Sequence, residues 1–153
     1  MKRSINTWST ILVLAIVSTF ASCKKDSVTT PVADAHKLLM ARTWQVEEVS
    51  EYMSGVADIQ YKRGAPNNQD DFSLVRQRFN KDGSITYTDE FGLVGNDGTW
   101  QLQDNNTAIR IGWPTMGLFI VGQECTITDH SFSYKIKSGA ADEYTQFIFS
   151  PAQ

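Results

Sequence analysis

The 153-residue chain has little histidine or cysteine, two of each. His36 falls in a helix-like run and His130 in a turn, both read as solvated, so a histidine-based metal site or a Ser-His-Asp arrangement has almost no material. Cys23 ends a leader-like segment and Cys125 sits in a late strand-like run, which excludes a framework of disulfides. Basic residues are not in excess: 14 Lys and Arg stand against 17 Asp and Glu, for a net charge of −3. That balance argues against a nucleic-acid partner. The apolar run Ile11 to Val17 is too short to cross a bilayer as a permanent helix.

What the first residues do contain is an export signal in three parts. Lys2 and Arg3 give a positive start, Ile11 to Val17 a short apolar stretch, and Phe20-Ala21-Ser22-Cys23 a small-residue processing site. Small residues before a cysteine resemble a bacterial lipobox, with Phe20 where leucine is usual, and Lys24-Lys25-Asp26 resembles the start of a mature lipoprotein. The resemblance implies that residues 1–22 are a cleaved signal peptide and that Cys23 is the lipid attachment site. Two or more acyl chains of the palmitate type hold a protein stably on a membrane, where one does not. The expected location is the bacterial cell envelope, lipid-anchored at the outer membrane. Residues 23–34 read as the acylated N-terminus and a polar tether containing Pro31, and residues 35–153 as the folded domain. A domain of that size buries enough surface to need no staple.

The domain opens with a predicted helix, Ala35 to Arg42, with Asp34 as N-cap. Thr43 to Val49 follows as a strand, with Trp44 and Val46 on one face. Ser50 to Asp71 reads as a long irregular loop holding Gly55, Gly64 and Pro66. Period-two alternation then marks strands over Phe72 to Phe79, Ser84 to Asp89, Thr99 to Asp104 and Ala108 to Trp113. Leu118 to Val121 reads as a strand start or a loop, with Gly122 as a candidate bulge before a strand over Glu124 to Thr128, and further strands follow over Ser131 to Lys137 and Glu143 to Ser150. Asn80-Lys81-Asp82-Gly83 and Asn96-Asp97-Gly98 read as hairpin turns, because Asp-Gly accepts positive φ. Eight short strands in succession predict an all-β fold, an eight-stranded up-and-down antiparallel β-barrel with a helix plugging one end.

A tryptophan opening strand one, a long first loop, F-x-x-D-G at Phe79 to Gly83 and G-T-W at Gly98 to Trp100 together resemble the bacterial lipocalin-like domains of small envelope lipoproteins. The similarity runs from Leu38 to Pro151. Arg42 stands where the lipocalin G-x-W has glycine, and no arginine follows Arg110, so the resemblance is to the looser calycin-type barrel. It implies a small apolar ligand at the barrel mouth, beneath the first loop.

Candidate ligand contacts are Tyr52, Met53 and Tyr61, apolar groups in a stretch that reads as irregular, and the inward-facing Tyr87, Trp100, Trp113 and Tyr134. With Phe132, the inward aromatics are large enough to fill an eight-stranded barrel by themselves. The pairs Glu47-Glu48, Asp70-Asp71 and Asp89-Glu90 point to opposite faces of an extended chain and do not converge. The turn at Asn80 to Gly83 lacks the distant glutamate of a calcium loop, and Cys125 reads as a small buried residue. No catalytic residue, metal or cofactor is expected. The leading expectation is a monomeric, membrane-anchored lipoprotein that binds or carries a small hydrophobic ligand. The alternative is a non-catalytic envelope module with a filled barrel, its loops contacting a protein, a glycan or a protease as inhibitor. A cavity under residues 50–71 favours the first; a packed interior with an exposed apolar patch favours the second.

Overall fold

A computed structural model describes residues 32–140 and 142–153. The leader, Cys23 and most of the tether therefore lie outside the described residues. A short helix α1 (Val32–Met40) precedes nine strands: β1 (Thr43–Met53), β2 (Val56–Lys62), β3 (Arg76–Phe79), β4 (Ser84–Thr88), β5 (Val94–Gln103), β6 (Ala108–Trp113), β7 (Leu118–Ile127), β8 (Phe132–Lys137) and β9 (Tyr144–Pro151). Helix α1 begins earlier than the sequence suggests, so Asp34 lies inside its first turn rather than capping it.

The strands from β3 to β9 pair in order, and β1 pairs with both β3 and β9. That closes an eight-stranded antiparallel barrel, and β2 is an extra strand on β1. Closure removes the two free edges that an open meander of this length would expose.

Two expectations about turns are corrected. The stretch read as an irregular loop from Ser50 is a hairpin: β1 runs on to Met53, and Ser54 and Gly55 turn it with φ of 52° and 77°. Consecutive positive φ is the geometry of a two-residue hairpin turn whose twist matches the strands. Along β2 only Tyr61 is buried, so the strand shows no alternation to be read. The second correction concerns Asn96-Asp97-Gly98, which lies within β5. Ile85 pairs with Gly98 and Tyr87 with Gly95, so Thr86 faces two residues across a bulge. The hairpin turn sits instead at residues 89–92, where the Asp89 carboxylate accepts the backbone N–H groups of Phe91 at 2.9 Å and Leu93 at 2.8 Å.

Because neighbouring strands alternate in direction, their loops gather at two ends. Residues 80–83, 104–107 and 128–131 lie at the end covered by α1. There Ala35 and Leu39, one helical turn apart, are buried against the core, and Trp44 Nε1 donates to the Leu39 carbonyl at 2.8 Å. This half of the barrel is solid. Phe79 meets Trp100 edge-on at 5.5 Å and Phe132 at 5.6 Å, and Phe132 stacks on Phe149 at 5.1 Å. His36, expected in solvent, lies 5.4 Å from Trp100 and is half-buried by it.

Candidate functional site

The opposite end is built differently. The hairpin tip at 53–56 and the loops 63–75, 89–93, 114–117 and 138–140 surround it, with no α-helix among the described residues covering it. Inside lies a cavity of about 250 Å³ walled by Val46, Tyr87, Trp113, Tyr134, Phe147 and Phe149, with Gln77 among them and Thr88, Asp89 and Glu90 at the rim. The cavity expected under residues 50–71 is not lined by that stretch; from the connection before β3 only Phe72 and Val75 reach it.

Two glycines let the tyrosines lie flat against the wall. A Cβ at Gly95 would sit 2.2 Å from Tyr87 Cζ, and one at Gly122 would sit 2.6 Å from Tyr134 Cδ2. Gly122 is thus a place of close approach, and the bulge expected there falls at Glu124, where φ is 50° and the pairing shifts. The Tyr87 hydroxyl donates to Asp97 at 2.9 Å, and Asp97 also accepts the hydroxyl of Thr115. These bonds, that of Thr115 first, hold the Asp97 carboxyl below its ordinary range, while donation to Asp97 raises the Tyr87 phenol.

The wall has a seam. Along one edge of β1, β3 pairs with Thr43 to Gln45 and β2 with Glu48 onward. At the handover the Val46 carbonyl accepts from Arg63 Nε at 2.8 Å and Nη2 at 2.6 Å, a guanidinium standing in for a strand. Arg63 also donates to the Ser73 carbonyl at 3.3 Å, and Arg76 donates to the carbonyls of Ser73 at 2.8 Å and Val75 at 2.9 Å. Burial, and then the charge of Arg63, pull the Arg76 guanidinium below its usual value. The two arginines fasten the loop across the seam, so that Phe72 meets Phe147 edge-on at 6.4 Å and Tyr61 at 5.7 Å.

Of the residues expected to contact a ligand, Tyr87, Trp113 and Tyr134 come together in the cavity. Tyr61 is buried under the fastened loop, in the wall behind Phe72. Trp100 is inward but at the plugged end, its Nε1 donating to the Asn80 carbonyl at 2.9 Å. Tyr52 stacks on Tyr144 at 4.5 Å, and Met53, at the hairpin tip, is 59% exposed. Neither lines the cavity. Cys125 packs against the core, where burial pushes its thiol up to about 12. Gln77 and Phe72 were not anticipated. Gln77 had a signal: it lies midway between Val75 and Phe79, which alternation places on the inner face.

Apolar side chains also crowd the outside of this mouth. Phe91 is 78% exposed, and Leu93, Val94, Met116, Leu118 and Phe119 are exposed beside it on the 89–93 and 114–117 loops and the strand ends they join. Leu74, exposed as well, lies against Gly92 of the 89–93 loop, and Val56 is exposed at the hairpin tip. Among the described residues no group of three or more His, Cys, Asp or Glu could hold a metal ion, and no helix is long and apolar enough to cross a membrane. No protein-family model matches the chain, and no curated protein matches it.

Proposed function

We propose that the protein is a lipoprotein of the bacterial cell envelope, anchored at the outer membrane through acyl chains on Cys23, whose lipocalin-like barrel binds a small hydrophobic molecule and catalyses no reaction. One observation carries the reading: half of the barrel is packed solid with aromatic rings, while the other half keeps a cavity of about 250 Å³ with aromatic walls. An apolar cavity of roughly 150 Å³ already accommodates benzene, so this one has room for a single ring with short substituents. Helix α1, the first described element, covers the plugged end, opposite the mouth.

Native mass spectrometry of the intact protein released from membranes tests the binding, the expected result being a retained small-molecule mass. A bare protein that also fails to take up aromatic probes refutes it. Replacing Cys23 by Ser tests the anchor, with loss of lipid labelling and release from membranes as the expected outcome. Retention of the unlabelled variant on membranes defeats it.

The exposed band of Phe91, Leu93, Met116 and Phe119 favours a second reading, a monomeric interaction module whose mouth contacts another envelope protein. Substituting Phe91 and Phe119 by Ser separates the two, since it abolishes partner capture under the second reading and leaves ligand uptake intact under the first.

A further inference from the structure

We infer that the chain pairs with a second copy of itself beside the mouth, in a two-fold dimer where Phe91 of each copy enters a groove on the other. The inference is independent of what the cavity holds. Glu90 and Phe91 are the central residues of the turn between β4 and β5, which the Gly92 N–H closes on the Asp89 carbonyl at 3.1 Å. The Asp89 carboxylate also holds the N–H groups of Phe91 and Leu93, which fixes the backbone beneath the ring. Phe91 is the most exposed of the large apolar side chains among the described residues. The groove, of about 490 Å³, lies on the outer face of β5, β6 and β7. Thr99, Gly112 and Phe119 are neighbours in register there, and the glycine leaves the middle strand without a side chain. Pro114, Leu118 and Phe119 give the groove an apolar side, and Arg110 gives it a charge.

Charge agrees with shape. The Arg110 guanidinium lies over the Phe119 ring, 4.5 Å from its centre. Ion pairs among the described residues join Lys62 to Glu48, Arg63 to Glu47, His130 to Asp129 and Lys135 to Glu124, which leaves Arg110 and Glu90 each without a counter-charge. In a two-fold dimer every contact is made twice with the roles exchanged. Phe91 seated in the groove of the other copy brings Glu90 to that copy's Arg110, and the reciprocal pair forms with it. Leu93, Val94 and Met116 are exposed between the ring and the groove, where the Thr115 hydroxyl ties the 114–117 turn to Asp97 of β5. At on the order of 100 Å² each, the exposed apolar side chains of this face amount to roughly 600 Å², the most that monomers usually leave to water. With the polar residues around them the face approaches the roughly 800 Å² that one partner contributes to a stable interface. A bilayer would meet the Glu90 carboxylate and leave the groove unused. A different protein would have to bring a ring and a carboxylate that this chain already presents.

Sedimentation equilibrium of the intact protein in density-matched detergent tests the pairing. The native chain is expected to dimerise as its concentration rises. Glu90→Arg and Arg110→Glu should each weaken the dimer at least about tenfold by setting like charges together. An equal mixture of the two variants should recover it, because both reciprocal pairs then join opposite charges. Phe91→Ser should weaken it about thirtyfold, as loss of a buried aromatic anchor does. All three positions are exposed, so the substitutions leave the core intact. Carbodiimide treatment before detergent extraction gives an independent reading. In an Arg110→Lys chain it should couple the new amine to the Glu90 carboxylate of the other copy, and adding Glu90→Gln should abolish that product. A chain that stays monomeric up to about 100 μM and is not coupled overturns the inference. So does a dimer that survives both charge reversals, or one that fails to return in the mixture. A native chain that holds another polypeptide in place of its own copy overturns it as well.

Discussion

Replacing Gly122 by alanine sets two opposing effects against each other. Alanine narrows the unfolded ensemble, which at an unstrained site stabilises by about 0.4 to 1 kcal/mol. At Gly122 the new Cβ would meet Tyr134 Cδ2 at 2.6 Å, Cγ at 2.7 Å and Cβ at 2.8 Å. These are atoms at the root of a side chain that is only 3% exposed and that stacks on Phe147 at 5.4 Å, so no rotation relieves all three contacts. The strand must shift, at the roughly 1 to 3 kcal/mol typical of overpacking, leaving a net loss of up to about 2.6 kcal/mol. Gly95 gives the contrast. Its Cβ would approach Tyr87 more closely, at 2.2 Å, yet the atoms met are Cζ, Oη and Cε1 at the far end of a half-exposed ring. Tyr87 can swing outward, losing its bond to Asp97, so Gly95→Ala should cost less than Gly122→Ala despite the deeper overlap. Urea unfolding of each variant, and of Gly122→Ala combined with Tyr134→Ala, measures the terms. In the background lacking the ring, Gly122→Ala should cost less, since only the 2.8 Å contact with the Cβ at position 134 remains. The same loss in both backgrounds would show that the ring is not what the glycine accommodates.

Trp100→Ala should lower stability by about 3 to 5 kcal/mol, through a large cavity at the plugged end and the lost bond to the Asn80 carbonyl; an unchanged unfolding midpoint contradicts the packing. Asp97 has its pKa depressed in the fold by Thr115 and then Tyr87, so its contribution is complete above the ordinary value of 3.8 and is lost as pH falls through the lower, folded-state value. The stability difference between the native chain and Asp97→Asn should accordingly shrink below pH 3.8, and a difference independent of pH removes the basis for it. In a Cys23→Ser chain, Cys125 should react slowly with a thiol reagent at mildly alkaline pH and rapidly after unfolding, because burial raises its pKa to about 12. Equal rates in the two states would mean that the thiol is accessible.

How much was legible follows from what alternation encodes. Ile85 and Tyr87, Trp100 and Leu102, Ile109 and Ile111, and Phe132 and Tyr134 all face inward as their spacing requires, and tight turns between such runs led to a closed antiparallel wall. Strand β2 escaped because it buries Tyr61 alone, and a strand wet on both faces carries no periodic signature. Asp97-Gly98 has the composition of a hairpin turn but serves as a bulge, since the competing turn at Asp89 supplies its own carboxylate to two backbone N–H groups. The candidate site was legible in part for a related reason. Tyr87, Trp113, Tyr134 and Trp100 satisfy one inward rule, yet Trp100 sits at the opposite end from the other three.

By itself, then, the sequence determined which side of the wall each residue occupies, because a period of two is a local property of an extended chain. Height along the barrel axis, the partner across the interior and the seam bridged by Arg63 were decided only by closure, through the pairing of β1 with β9 and its division between β2 and β3. Those pairings join residues far apart in the chain, and only in the folded barrel do the rings at one end fill their space while those at the other leave a cavity.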